Sequence, residues 1–251
     1  EKAPTAFLIA NIGAPQLVQG YGVKEAERAV EMIDADALAI HLNPLQEAVQ
    51  PEGETNYRGV LKKIGEIAQA LTVPVIIKET GAGISSEVAK MLEGINLSSI
   101  DVAGAGGTSW AAVEYHRAEQ VQDEFLQRLG KTFWDWGIPT AVSVVEVAQS
   151  VHLTLIASGG IRSGMDVAKA LALGADLAGA ASPLLLPATK GPEAVQKMLH
   201  SMIEELKNAM FLVGVESIDK LKRVPVVITG KTAEWLRARG FQPELYARRT
   251  V

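Results

Sequence analysis

Leu153-Thr154-Leu155-Ile156-Ala157-Ser158-Gly159-Gly160-Ile161-Arg162-Ser163-Gly164 joins a short apolar run to a glycine turn that opens a helix. Residues 153–157 have the length and apolarity of a strand buried on both faces, which is how strands of a parallel sheet read. The turn places glycine N–H groups and a helix N-terminus where they can converge on an anion. Arg162 either adds charge to that anion site or caps the loop from outside. A second small-residue exit, Ala180-Ala181-Ser182-Pro183, follows another apolar run and lets a ligand approach the backbone closely. One glycine turn alone would be read as satisfying φ > 0. Two neighbouring exits of this kind favour a phosphate site, the usual use of the last two strand exits of a barrel.

Working outward, the same alternation of apolar run and amphipathic helix recurs along the chain and defines an α/β fold with a parallel sheet. Six runs are expected as strands, at residues 6–10, 37–42, 74–78, 99–103, 153–157 and 177–181. Helical spacing puts Ala26, Ala29, Val30 and Ile33 on one face, and Val60, Ile64, Ile67, Ala68 and Leu71 on another. Lys24, Glu25, Glu31, Lys63 and Glu66 occupy the opposite faces, as suits helices on the outside of a sheet. Residues 114–137, with Phe133-Trp134-Asp135-Trp136-Gly137, are expected to fold over the barrel mouth. A later helix is expected to turn Val195, Met198, Leu199, Met202, Ile203 and Leu206 inward, and a tail around residues 217–221 to close the other side. The expected fold is a TIM (β/α)8 barrel forming a single domain over residues 1–251. Six units do not close eight strands, so two further units are expected before Glu1; a six-unit open sheet is the competing reading.

Composition narrows the chemistry. The 251 residues, 48% hydrophobic and 21% charged, suffice for one substantial core. The net charge of −5 comes without a lysine or arginine block, so nucleic acid is not an expected partner. Cysteine is absent, which excludes disulfides, thiolate metal sites, Fe–S clusters and cysteine nucleophiles. No apolar run approaches the roughly 20 residues needed to span a bilayer, and a soluble cytoplasmic protein is expected.

Barrel chemistry sits at strand exits. In Val75-Ile76-Ile77-Lys78-Glu79-Thr80-Gly81-Ala82-Gly83, Lys78 ends a run of branched residues and should point into the mouth. A buried ammonium needs an anionic or strongly accepting partner. The pyrimidine edge of a flavin is one; a salt bridge to Glu47 or Glu79 is the other. Ala103-Gly104-Ala105-Gly106-Gly107-Thr108-Ser109-Trp110 suits close contact with a cofactor chain. The exit Ile40-His41-Leu42-Asn43-Pro44-Leu45-Gln46-Glu47 is the densest polar constellation. Alternation puts His41 and Asn43 on one face, Leu42 in the packing, and Gln46 and Glu47 nearby after the proline turn. These amides and the histidine can bind a polar head group, and Glu47 can hold Mg2+ with phosphate oxygens and water completing the octahedron. A solvated loop with Asn43 as an N-cap is the bland alternative. Asn11, ending the first run, contacts the same cofactor or serves the turn. His116, His152 and His200 lie away from the exits and read as structural or surface groups.

Together, His41 to Glu47, Gln50-Pro51-Glu52-Gly53, Lys78 to Gly81, Gly106 to Trp110 and Ser158 to Arg162 resemble the type 2, FMN-dependent isopentenyl diphosphate isomerases. The resemblance runs from Asn11 to about Pro183. It implies interconversion of isopentenyl and dimethylallyl diphosphate with reduced FMN, NADPH as reductant and Mg2+. By the same resemblance Asn11, Lys78, Thr108, Gly159, Gly160, Ala180 and Ala181 bind FMN. His41, Asn43 and Gln46 hold substrate, with Gln46 beside the reacting carbons, Glu47 holds the metal, and Glu114 assists at the mouth. A homo-oligomer, tetrameric or octameric, is implied as well. The family's N-terminal arginine-lysine pair and early flavin loops have no counterpart here. Hydroxy-acid oxidases share the phosphate loops and Lys78 but need a histidine paired with arginines. Inosine monophosphate dehydrogenases need a cysteine. A barrel that only binds a phosphorylated ligand stays open.

Overall fold

A computed structural model describes residues 5–251. Six parallel strands, β1 (Ile9–Gly13), β2 (Ala37–His41), β3 (Val75–Lys78), β4 (Ser99–Asp101), β5 (Thr154–Ala157) and β6 (Leu177–Ala178), lie side by side in chain order. Between them run α1 (Ala14–Val18), α2 (Val23–Glu31), α3 (Pro44–Val49), α4 (Val60–Ala70), α5 (Ser86–Glu93), α6 (Trp110–Gln120), α7 (Glu124–Thr132), α8 (Thr140–Ala148) and α9 (Gly164–Leu173). After β6 come α10 (Ser182–Lys190), α11 (Pro192–Leu212), α12 (Ile218–Leu221), α13 (Gly230–Ala238) and α14 (Glu244–Ala247). All six expected strands are present.

The register divides each strand between two environments. Leu38, Ile40, Val75, Ile77, Ile100 and Leu155 are buried in the main core together with Ile64 and Ile67 of α4. Ala37, Ala39 and Ile76 form a separate small cluster with Ile156 on the other side. Because side chains alternate, the residues two further along, His41 and Lys78, stand on that inner side at the strand ends. Register pairs Gly13 with His41, His41 with Lys78, and Lys78 with Asp101, so one row crosses four neighbouring strands.

The first strand begins three residues later than its apolar run suggests. Phe7 and Leu8 are exposed, and the Leu8 N–H donates to Asp36 Oδ2 at 2.7 Å, which sets the pairing so that Ile9 meets Ala37. Asn11 therefore lies inside the strand rather than ending it. The run at 99–103 stops at Asp101, with Ala103 at φ 34° turning the chain away. The run at 177–181 contributes only two strand residues.

The face of α4 is buried as its spacing requires, but Ile33 falls beyond α2 and is half exposed. Leu199 and Ile203 of α11 are also exposed, whereas Met202 is buried as expected, Met198 and Leu206 are partly buried against the core, and Ala209 adds a further buried contact. Gly164 makes the approach of α11 possible, since a Cβ there would lie 2.0 Å from the Met202 carbonyl oxygen. The tail around 217–221 packs on the outer side of α9. Leu221 and Val224 are buried there against the stripe Ala168, Leu171 and Ala172.

A charged clasp joins α13 to the helices beneath it. Glu146 of α8 is fully buried and accepts from the Ser86 N–H at 3.1 Å and from Arg239 Nε at 3.2 Å, while Arg239 also reaches Glu87. Removing the guanidinium leaves a buried carboxylate without its counter-charge, so Arg239→Ala is expected to destabilise the fold by roughly 3 kcal/mol. Equilibrium urea unfolding measures this; a midpoint equal to the parent's would show that the clasp contributes little.

Candidate active site

At the strand ends the inner row becomes polar. The His41 Nδ1–H donates to Asn11 Oδ1 at 2.5 Å, which leaves Nε2 as the free acceptor. Burial, and then the Lys78 charge, hold this imidazole below its ordinary pKa and so in the neutral form near pH 7. Lys78 donates to the Glu79 carbonyl oxygen at 2.7 Å instead of forming a carboxylate salt bridge. An ammonium has three donors, so two remain for a ligand. Asp101 stands beside it in register, its Oδ1 accepting from Ser158 Oγ at 2.6 Å and from the Ala103 N–H at 3.2 Å. Burial pushes its carboxyl above the usual range, against the Ser158 bond and the Lys78 charge.

A second array lies at the β2 and β3 exits. Asn43 takes a left-handed conformation, φ 54°, at the N-terminus of α3, yet its side chain does not cap that helix. Its Oδ1 accepts from Thr80 Oγ1 at 2.6 Å, and its Nδ2 donates to Gln46 Oε1 at 2.9 Å. Gln46 Nε2 donates to Glu114 Oε1 at 2.8 Å. The bland reading of Asn43 as an N-cap is thus replaced by a buried amide in a polar chain. Glu79 fixes the loop that carries Thr80: its Oε2 accepts the N–H groups of Thr80, Gly81 and Ala82 at 2.6, 3.0 and 2.8 Å. Its Oε1 is buried without a partner among the described residues, and burial pushes the carboxyl up despite the three N–H bonds.

Glu47 is buried on α3, with Oε2 accepting the Glu54 N–H at 2.8 Å. Among the described residues no group of three histidine, cysteine or acidic side chains could cage a metal. The other carboxylate oxygen of Glu47 has no hydrogen-bond partner among the described residues.

The glycine turn is tighter than an anion site alone requires. Gly159 and Gly160 have φ of 97° and 86°, and a Cβ on either would lie 2.2 Å from a backbone oxygen, that of Gly104 or Gly106 respectively. Thr140 Oγ1 donates to the Gly159 carbonyl oxygen at 2.6 Å. Arg162 donates to the carbonyl oxygens of Gly160 and Gly106, each at 2.9 Å, and so stitches the β4 and β5 exits together as the cap its position allowed. The start of α9 is occupied by the chain itself: Gly164 N–H donates to Glu205 and Asp166 N–H to Ser163. By contrast, the N–H groups of Gly159, Gly160, Ala180 and Ala181 have no acceptor among the described residues. Gly179 brings the β6 exit against Ser158, within 3.1 Å of a Cβ position.

Other expected groups fall into place around these arrays. Thr108 is exposed at the β4 exit, its carbonyl oxygen close over Gly81. Glu114 is buried on α6. Helices α6 and α7 cover α3 at the mouth, and Phe133 and Trp136 close an apolar cavity of about 240 Å³ with Pro44, Leu45, Ala48 and Ala82. His116 is exposed and pairs with Glu119 at the surface. Asp101 and Arg117 escaped the sequence reading, and Glu79 entered it only as a salt-bridge partner for Lys78, a bond it does not make. For Asp101 a signal existed: Ser99 and Asp101 alternate with Ile100 and Val102, which marks a polar inner face.

A parallel sheet with a lysine on its inner side and small-residue turns at its last two exits matches FMN-dependent barrel enzymes in class, and the family model described as FMN-dependent dehydrogenase matches residues 42–227. A crystal structure of mandelate oxidase superposes with TM-score 0.57 at 20% identity, covering 88% of this chain and 70% of that one. An isopentenyl-diphosphate delta-isomerase from Thermococcus onnurineus is 56% identical over 242 residues, 94% of this chain and 64% of the relative. One from Methanothermobacter thermautotrophicus is 55% identical over 250 residues, 100% of this chain and 68% of the relative. The chain belongs to the isopentenyl-diphosphate delta-isomerase family, and it spans a little under two thirds of the length of several of those relatives. Among the described residues no helix is long and apolar enough to cross a membrane.

Proposed function

We propose that this chain forms the FMN-binding domain of an enzyme that interconverts isopentenyl and dimethylallyl diphosphate, with reduced FMN, NADPH as the reductant and Mg2+. The observation that carries the reading is the meeting, at one end of the sheet, of Lys78 and the Asn11–His41 pair on the inner side with the polar chain Asn43, Gln46, Glu114. The residues present fit the cofactor. Lys78 has two free donors for the pyrimidine edge, and the unpaired N–H groups of Gly159, Gly160, Ala180 and Ala181 suit its phosphate. Arg162 acts there by holding the Gly160 turn against the Gly106 loop, and Asn11 and Thr108 complete the surround. When bound, reduced FMN supplies proton-transfer chemistry and negative charge beside the reacting carbons.

The remaining steps fall to side chains. Neutral His41 offers Nε2 as an acceptor to a polar head group, with Asn11 holding the ring. Asn43 and Gln46 are locked against rotation by their mutual bond, so the amide faces open to substrate are pre-set. Glu114 fixes Gln46 from behind, which makes the Gln46 amide the group that orients the alkene end. A hydroxy-acid oxidase would need arginine beside the histidine, whereas the groups beside His41 are Asn11 and Lys78. Assembly as a tetramer or octamer and residence in the cytoplasm accompany the proposal from family resemblance.

The deciding experiment is an absorption spectrum before and after dithionite, with turnover of isopentenyl diphosphate under FMN, NADPH and Mg2+, on the full-length protein. A colourless preparation without turnover would defeat the proposal in favour of a ligand-binding barrel. Glu47 carries the metal in this scheme, through the oxygen not used by Glu54. Glu47→Gln should lower Mg2+-dependent activity about 10- to 100-fold while flavin stays bound. Flavin loss with unchanged metal dependence would reassign the residue.

A further inference from the structure

We propose that Arg117, anchored by Glu52, is a positioning residue that dictates which way round the amides of Gln46 and Asn43 face. The inference rests on the function proposed above. Glu114 and Arg117 are one turn apart on α6, and Arg117 Nη1 donates to Glu114 Oε2 at 2.8 Å. Arg117 Nη2 donates to Glu52 Oε1 at 2.7 Å, tying the guanidinium to the loop after α3.

Its position differs from that of an ordinary surface ion pair. The Glu114 side chain is 2% exposed, against 49% for Arg117 and 57% for Glu52, so the guanidinium reaches from the surface to a buried carboxylate. A carboxylate only accepts hydrogen bonds, whereas a primary amide can turn over and present either end. With Oε2 held by Arg117, Oε1 demands a donor, and Gln46 must turn its Nε2 towards it. Gln46 Oε1 then demands the Asn43 Nδ2, and Asn43 Oδ1 demands the Thr80 hydroxyl proton. One fixed charge at the far end thereby sets the polarity of every member of the chain down to the β3 exit.

Other charged groups around α6 do not substitute for Arg117. Glu47 on α3 is negative and engaged by Glu54, and Arg128 and Lys131 on α7 are exposed. Without the guanidinium, Oε2 of the buried Glu114 side chain has no donor, so the carboxylate is free to turn on its helix. Gln46 and, through it, Asn43 then lose their fixed orientation before the substrate.

The test compares Arg117→Met, Arg117→Lys and Glu52→Gln in the full-length, FMN-loaded protein. Steady-state isomerisation is measured alongside ¹H–¹⁵N spectra of the side-chain amides, the Gln46 pair being assigned by its loss in Gln46→Leu. The expected result for Arg117→Met is a kcat lowered about 10- to 100-fold with little change in KM, since orientation rather than affinity is disturbed. Its Gln46 and Asn43 amide resonances move, Arg117→Lys recovers most of the lost rate, and Glu52→Gln falls between. Unmoved amide resonances in Arg117→Met overturn the proposal, as does a raised KM with kcat unchanged. If Arg117→Met does not fold, Arg117→Lys and Glu52→Gln carry the same spectral test. A parent protein without turnover would defeat the functional proposal, while the amide spectra would still decide the role of Arg117.

Discussion

Gly159→Ala is expected to destabilise the protein by about 3–5 kcal/mol, combining the cost of an L-residue at positive φ with overpacking. The added methyl would lie 2.2 Å from the Gly104 oxygen and 2.5 Å from its nitrogen, with φ at 97°. Backbone atoms cannot swing aside as a side chain can, so the β4 and β5 exit loops would have to part. A loss of this size is a large share of the stability of a typical domain, about 5–15 kcal/mol. Because the turn carries the proposed phosphate site, the variant should also emerge depleted in flavin. Gly214→Ala separates the two contributions: its φ is 76° but nothing lies within 4 Å of the new methyl. That control should lose only about 1 kcal/mol. Urea midpoints and flavin content of the two variants, compared with the parent, give the answer. Equal, small losses in both would mean that the loops are not held together by glycine contact.

Replacing Gln46 with leucine should lower kcat about 10²- to 10³-fold while leaving flavin bound, a size usual for the loss of a group acting at the reacting atoms. Leucine keeps much of the volume but removes both ends of the amide. Glu114 Oε1 loses its donor and Asn43 Nδ2 its acceptor, so the polar chain is cut in the middle. Stability should suffer less than activity, because α3 also packs against α6 and α7 through its other residues. Single-turnover and steady-state rates with isopentenyl diphosphate measure the effect. A kcat close to the parent's would remove Gln46 from the chemistry and leave it a structural amide.

The strands were legible because buried parallel strands are short apolar runs ended by turn residues, and all six such runs became strands. The polar exit at 41–47 was legible for a similar reason: amides and a histidine clustered at a strand end have few uses in packing. The start of β1 was not, since the pairing is set by Asp36, the residue just before β2, which takes the Leu8 N–H. The inward faces assigned to Ile33, Leu199 and Ile203 failed in the same way, because helical spacing says which residues share a side but not whether a neighbour covers it. Arg162 illustrates a subtler case. Its position in the turn was clear, but only the approach of Gly106 shows that it binds two loops together.

Residue type and local spacing were therefore sufficient for the α/β alternation, the glycine and small-residue turns and the polar corner, since each depends on neighbours within a few positions. The pairing of Gln46 with Glu114, 68 positions away, and of Glu146 with Arg239, 93 positions away, emerged only when the helices packed. The physical reason is that a buried charge takes whichever complementary group the fold brings within hydrogen-bonding distance, and that choice is made across space rather than along the chain.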